Sequence, residues 1–381
     1  MWAATLLWRT SVPHVELPRL DARAVFGAEL VRRAGHYEGF FRVDWVLLVA
    51  AQLGALAAVA VRARRLRLGL GRVGSGVVLT ALAVTAAWSG ALPFELTALW
   101  WRRRHGIVHE TYASFLAGRL TELLATAAAA LLAVTVALAL AAVLGRRWWL
   151  AGAPLAAAAA LAFTFAAGYL SGGDPARPAL RAEERVLAAR EGVSPPPLRV
   201  TPAPGGSRAA NAGAIGIGPS RRIVLWRTLL QRPFSPREVR FVLAHELTHH
   251  RRRHLWKGVA WFALLALPVT ALLAYAVDLR RPGAVPLALL VLSVAQLALL
   301  PLENAISRRY EAEADWQGLR ATRDPAAARA LFVDFARTGL EDPDPPGWDD
   351  AWLETHPTLL QRVELAAAWR SFSRPASPEG S

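Results

Sequence analysis

Residues 120–170 read LTELLATAAAALLAVTVALALAAVLGRRWWLAGAPLAAAAALAFTFAAGYL. Two apolar runs, Leu120 to Leu144 and Trp148 to Leu170, are parted only by Gly145-Arg146-Arg147, room for a turn and nothing more. At a helical rise of about 1.5 Å per residue, either run crosses a hydrocarbon core about 30 Å thick. Working outward, four similar segments follow the same pattern: Asp44 to Val61, Ser75 to Leu96, Leu255 to Val277 and Ala284 to Leu302. The last two are divided by Asp278-Leu279-Arg280-Arg281-Pro282-Gly283. Such runs predict a mainly α chain of about six membrane spans, because a backbone in lipid must satisfy its own hydrogen bonds.

The composition agrees. Hydrophobic residues make up 54% and charged residues 19% of the 381. The net charge of +15 is carried by arginine, with Lys257 the single lysine. Arginines cluster beside the apolar segments, as at Arg62, Arg64, Arg65 and Arg67 or Arg251 to Arg253. That placement suits lipid headgroups and topology rather than nucleic acid, so no nucleic-acid partner is expected. The absence of cysteine excludes disulfides, thiolate zinc sites and cysteine nucleophiles. The start MWAATLLWRTSVPH lacks the layout of a cleaved signal peptide.

The polar remainder divides the chain. Residues 1–43 form a mixed segment with an amphipathic helix around Ala22 to Arg33, followed by a four-span region over 44–170. Within 171–254, Leu198 to Val200, Ala210 to Ile217 and Arg222 to Trp226 read as short strands broken by glycine and proline. Ser235-Pro236-Arg237-Glu238 carries a capping serine, a first-turn proline and the glutamate of a capping box, which predicts a helix from Pro236 through His249. A membrane hairpin fills 255–302. Helices are expected over Glu303 to Ala321, Pro325 to Thr338 and after Pro357, with a Pro/Asp-rich loop from Glu341 to Asp350. This last part, 303–372, ends in a disordered tail over 373–381. An even number of spans puts both termini on one side. Cytoplasmic polar regions place Arg32, Arg33, Arg42, Arg102 to Arg104, Arg251 to Arg253, Arg308 and Arg309 inside, against the Arg62 to Arg72 cluster outside.

The predicted helix carries His245-Glu246-Leu247-Thr248-His249. Residues four apart share a helix face, so two imidazoles at that spacing can bind one metal ion. Glu246 flanks that metal without ligating it and can take a proton from the water that zinc acidifies. A catalytic zinc needs a third protein ligand and an open position. Glu311 and Asp315, also four apart, can supply one ligand and one carboxylate that orients a histidine. Glu313 points elsewhere on that helix and is the weaker candidate. His250 and His254 are expected at the surface, His105 and His109 at the membrane interface.

The ordered set of motifs resembles the type I CAAX prenyl protease family of integral-membrane zinc metallopeptidases, which includes bacterial membrane proteases. The likeness covers His245 to His249, an apolar hairpin, Ser307-Arg308-Arg309-Tyr310-Glu311-Ala312-Glu313-Ala314-Asp315, and His356-Pro357 followed by Arg362. Upstream it takes in Asn211-Ala212, Arg222 to Leu225 and Leu92 to Gly106. Thr248 and Arg251 depart from the family's usual residues without removing a ligand. The resemblance implies one zinc per chain held by His245, His249 and Glu311, with Glu246 the base and His356 supporting the oxyanion. It implies Asp315 and Arg362 behind the ligands, and Asn211 and Ala212 holding the substrate backbone as an added strand. The expected fold is therefore a polytopic α-helical membrane domain joined to a mostly helical zinc metallopeptidase domain with a small β element. The expected partners are the lipid bilayer and a peptide or protein substrate, either a CAAX-like C-terminal peptide or a membrane or unfolded protein. The alternative is a membrane scaffold or transport protein with an incidental or structural metal site, which would be closed by a fourth protein ligand.

Overall fold

The computed structural model describes residues 2–66 and 68–373. In chain order it contains helices α1 (Trp2–Trp8), α2 (Ala22–Phe26), α3 (Ala28–Ala63), α4 (Gly71–Arg104), α5 (Tyr112–Leu144) and α6 (Trp149–Leu170). Strand β1 (Asp174–Pro175), helix α7 (Pro178–Glu191) and strands β2 (Leu198–Thr201), β3 (Ala212–Ile215) and β4 (Arg222–Trp226) follow. The rest is helical: α8 (Pro236–Arg251), α9 (His254–Ala276), α10 (Val285–Thr322), α11 (Pro325–Gly339), α12 (Gly347–Trp352) and α13 (Leu359–Phe372). Apart from Ser373, the expected tail lies outside the described residues.

The chain divides into two compact units. One comprises Phe40–Leu161 and Val259–Leu300. Among the described residues, five helical stretches are long and apolar enough to cross a membrane: Ala28–Ala63, Gly71–Arg104, Tyr112–Leu170, His254–Ala276 and Pro282–Thr322. The third is 59 residues long, about twice what a bilayer needs. Gly145, at φ +58°, breaks it between α5 and α6, so the segments number six, as the sequence predicts. Within this unit Leu138, Trp148, Leu273 and Val285 form a buried apolar cluster. Gly76 on α4 lies where a Cβ would collide with Leu138, so the two backbones can approach closely. Side chains such as Leu124, Leu132 and Val143 point outward, as lipid-facing positions do.

One expected boundary moves. The amphipathic helix placed at Ala22 to Arg33 is split at Gly27, whose φ is +89°. From Ala28 a single helix of 36 residues runs through Asp44 to Ala63. Hydropathy changes near residue 44, but no helix breaker stands there, so the backbone continues.

The other unit takes in the described residues of Met1–Gly39, Ala162–Gly258 and Pro301–Ser381. Its sheet has the order β1-β2-β4-β3, with β2 and β4 parallel and the outer pairs antiparallel. β3 is therefore an edge strand. Its register sets Ala212 opposite Leu225 and Ala214 opposite Ile223. The core gathers Leu187 of α7, Ile223 and Leu225 of β4, Phe241, Leu243 and Leu247 of α8, Trp316 of α10 and Phe332 of α11. Phe241 meets Phe332 edge to face at 5.9 Å. The capping box forms as expected: Ser235 N donates to Glu238 Oε2 at 2.6 Å, and the serine oxygen accepts from Glu238 N.

Candidate metal centre

α8 buries its apolar stripe in this core, and that fixes the rotation of its other face. His245, Glu246 and Thr248 are buried, and Thr248 ties its hydroxyl to the Ala244 carbonyl at 2.9 Å. His245 and His249, one turn apart, bring their Nε2 atoms to 3.0 Å. α10 continues from its apolar stretch without a break, past Pro301, into the acidic run. It sets Glu311 Oε2 3.1 Å from His245 Nε2 and Glu311 Oε1 3.5 Å from His249 Nε2.

These three side chains form a group whose ligand atoms all lie within 4.8 Å of one another. Zinc binds imidazole nitrogen at about 2.0–2.1 Å, which makes the edge of a tetrahedral site roughly 3.3–3.4 Å. The 3.0 Å between the two Nε2 atoms and the 3.1 Å from His245 Nε2 to Glu311 Oε2 are close to that edge, and the other carboxylate oxygen lies 3.5 Å from His249 Nε2. Glu311 Oε2 is buried and makes no well-aligned hydrogen bond among the described residues, as a ligand atom facing a metal would be. Burial works against charge on both histidines. At His245 the carboxylates of Asp315 and Glu311 outweigh it and lift the imidazole to about 10. The pocket therefore favours a positive charge where its donors converge. Burial pushes His249 well below its usual value and keeps it neutral, with a lone pair to offer.

Behind the cluster, His245 Nδ1 donates to Asp315 Oδ1 at 2.9 Å. Arg362 of α13 clamps that aspartate with two buried bonds of 2.7 Å. A bidentate guanidinium–carboxylate pair is geometrically stiff, so it fixes the tautomer of His245 with Nε2 facing inward. Glu246 is 6% exposed. Burial raises its carboxyl to about 7, opposed by His245 and by the Ala214 backbone amide. In β3, Trp226 N donates to Asn211 O at 2.9 Å, so Ala212 and Ala214 fall at alternate positions whose backbone groups face the open edge. That edge adjoins Glu246 through Ala214. Asn211 is exposed and turns its side-chain oxygen to Ala212 N at 2.8 Å. His356 is half exposed, with Nε2 3.4 Å from Glu311 Oε2 and Nδ1 3.0 Å from Thr355 Oγ1. Beyond the end of β3 a cavity of about 570 Å³ is lined by Gly216, His249, Arg221 and Trp256.

The expected ligand trio thus converges, with Asp315 and Arg362 directly behind it, His356 beside it and β3 along one flank. Two readings are corrected. His250 is buried and its Nε2 donates to the Arg222 carbonyl at 3.0 Å. Burial holds it down to about 4, so it stays neutral. His254 is also buried rather than on the surface. Glu313, the weaker ligand candidate, stands apart from the trio; it is fully buried and accepts bonds from Ser11, Arg252 and His254. A basic run at a helix end looks solvated in sequence, and Arg251 and Arg253 are exposed, but His250 turns in to β4 and His254 to Glu313 of α10.

The sequence model of peptidase family M48 matches residues 177–370, which include every residue of this centre. The uncharacterized metalloprotease YhfN of Bacillus subtilis (strain 168) is 34% identical over 174 residues, 42% of this chain and 41% of that protein. The chain thus spans less than half the length of this relative. A protease HtpX homolog of Kineococcus radiotolerans is 34% identical over 220 residues, 50% of this chain and 72% of the relative. The crystal structure of S. mikatae Ste24p superposes with a TM-score of 0.76 over 96% of this chain and 95% of that one. At 18% identity that is a likeness of fold, and it bears out the expected helical membrane architecture with a small sheet. By the extent of the family match and by these relatives, the chain belongs to peptidase family M48, whose members are zinc-dependent metalloproteases.

Proposed function

We propose that the chain hydrolyses peptide bonds as a membrane-embedded metalloendopeptidase, with His245, His249 and Glu311 holding one zinc ion. The reading rests on the convergence of those three ligand atoms within 4.8 Å beside a buried carboxylate. A zinc ion held there would supply a Lewis acid and would lower the pKa of a water molecule to about 7. Glu246 takes a proton from the attacking water and hands it to the leaving amine. Its raised pKa suits both halves of that exchange. His356 donates a hydrogen bond to the scissile carbonyl oxygen as that atom gains charge. Asp315 and Arg362 keep His245 in register. Asn211 and Ala212 border the edge along which an extended substrate adds as a strand, its amides meeting the outward carbonyls of β3.

Such an edge reads backbone rather than side chains, so an extended CAAX-like C-terminal peptide or an unfolded segment of a membrane protein both suit it. Cleavage of casein against a prenylated peptide separates these substrates. The peptidase unit faces the cytoplasm in this reading, supported by the arginines at 102–104, 251–253 and 308–309. Because the chain has no cysteine, Ala182→Cys in intact cells tests it: an impermeant maleimide leaves a cytoplasmic thiol unlabelled.

The test of mechanism is Glu246→Gln. It keeps zinc at one per chain and loses roughly a hundredfold or more in peptide hydrolysis, the scale of a lost general base. Activity within a fewfold of the parent would remove Glu246 from the role.

A further inference from the structure

His245 has its distal nitrogen fixed by a carboxylate. Among the described residues His249 has no carboxylate within reach of its distal nitrogen; it has another imidazole. Its Nδ1 lies 3.0 Å from Nδ1 of His254, and the Nε2 of His254 lies 3.0 Å from Glu313 Oε2. We propose that His254 and Glu313 form a relay that positions His249, so that each histidine ligand is anchored to an anion, one directly and the other through an intervening ring. The inference rests on the metal reading above and deepens it.

The tautomers follow from the partners. A histidine that binds metal through Nε2 carries its proton on Nδ1, so His249 donates and His254 Nδ1 must accept. His254 then carries its proton on Nε2 and donates to Glu313. Only this order satisfies all three groups, and it holds His254 neutral. Glu313 is built to remain an anion in this place: Ser11 gives it a backbone N–H at 2.7 Å and a hydroxyl at 2.6 Å. Arg252 adds a bond of 2.7 Å to the same oxygen, leaving the other for His254. The carboxylate is fully buried, and His254 is 5% exposed.

The backbone and a neighbouring ring fix the intermediate imidazole. Arg253, between α8 and α9, takes φ +56°, a conformation unfavourable for a side chain with a Cβ, and it turns the chain so that His254 doubles back on His249. The His254 ring lies flat on Tyr310, centroids 4.7 Å apart and planes 9° from parallel. Rotation of the ring would break the stack and both hydrogen bonds together.

His254→Phe separates positioning from packing, because it keeps a ring on Tyr310 and deletes both hydrogen bonds. The measurement is the zinc dissociation constant of the full-length protein in detergent, by chelator competition, with the thermal midpoint of the metal-free protein alongside. The expected result is a zinc affinity weaker by roughly 10–100-fold, the range for losing an outer partner of a ligand histidine, at an unchanged metal-free midpoint. His254→Gln, which can still accept from His249 and donate to Glu313, recovers most of that loss. Zinc affinity within threefold of the parent in His254→Phe overturns the relay, as does failure of both variants to fold, which would make His254 a packing residue. A parent protein that binds no zinc refutes the metal reading itself and is distinguishable from either.

Discussion

Glu246 shows how one side chain's surroundings set its chemistry. An ordinary glutamate is a weak base at neutral pH because its proton affinity is low. Here burial is the largest influence and lifts the carboxyl from 4.5 to about 7, while His245 and the Ala214 amide pull it back. A bound cation pulls in the same direction as His245. The base works only when deprotonated, so hydrolysis rises with pH through its pKa and is lost below it. The kcat/KM profile should therefore carry an acid limb with an apparent pKa between 4.5 and about 7. A profile flat down to pH 4.5 would contradict the assignment. The HExxH spacing made this residue legible, because ligand and base geometry follow from one helical turn. His254 was not legible. It lies five residues beyond His249 and across a break in the helix, so no helical period connects them. The part Glu313 plays beside His254 was illegible for a related reason. Two positions from Glu311 it faces another side of α10, and a helix covered on several sides has no solvent face to give it.

Elements were legible where they carry their own punctuation. α8 announces its start with a serine cap and a proline, and the structure reproduces both. α7 (Pro178–Glu191) was passed over, although Pro178 and the left-handed Gly192 bracket it with an equally clear start and stop. Its amphipathic stripe is short, and the charged sequence around Glu183 and Glu184 reads as solvated. Yet Glu184 is buried, and its Oε1 finds no hydrogen-bond partner among the described residues. Burial raises this carboxyl to about 7, against the pull of Arg185 and Arg181. A carboxyl whose pKa is higher folded than unfolded leaves stability untouched below about 4.5. It then costs increasing stability as pH rises towards about 7. Glu184→Gln should remove that slope and stabilise the protein above pH 7 by on the order of 1–2 kcal/mol, discounted for screening by solvent and the two arginines. Thermal midpoints at pH 5 and pH 8 test it: equal gains at both would mean that packing, not charge, is at stake.

The chain as a whole places its proposed metal ligands far apart in sequence. His245 and His249 stand on α8 and Glu311 on α10, with the membrane hairpin of α9 and the first part of α10 between them. Hydropathy made that hairpin visible, and helical periodicity gave each ligand a face. Only the fold could bring the faces together, because nothing local ties residue 311 to residue 245. An ion that binds this arrangement binds the folded chain and not the unfolded one, whose ligands are dispersed. Mass action then stabilises the fold by about 2.7 kcal/mol when free zinc is a hundred times its dissociation constant. A chelator should accordingly lower the thermal midpoint of the parent protein in detergent, and added zinc should restore it. Glu311→Ala lacks one ligand, so its midpoint should already sit near the chelated value and respond little to either treatment. Glu246→Gln keeps every ligand and should respond as the parent does, although it no longer hydrolyses peptides. That pairing separates metal held as a cross-link between α8 and α10 from proton transfer at Glu246. If chelation moved all three proteins equally, the ion that stabilises the fold would be bound elsewhere.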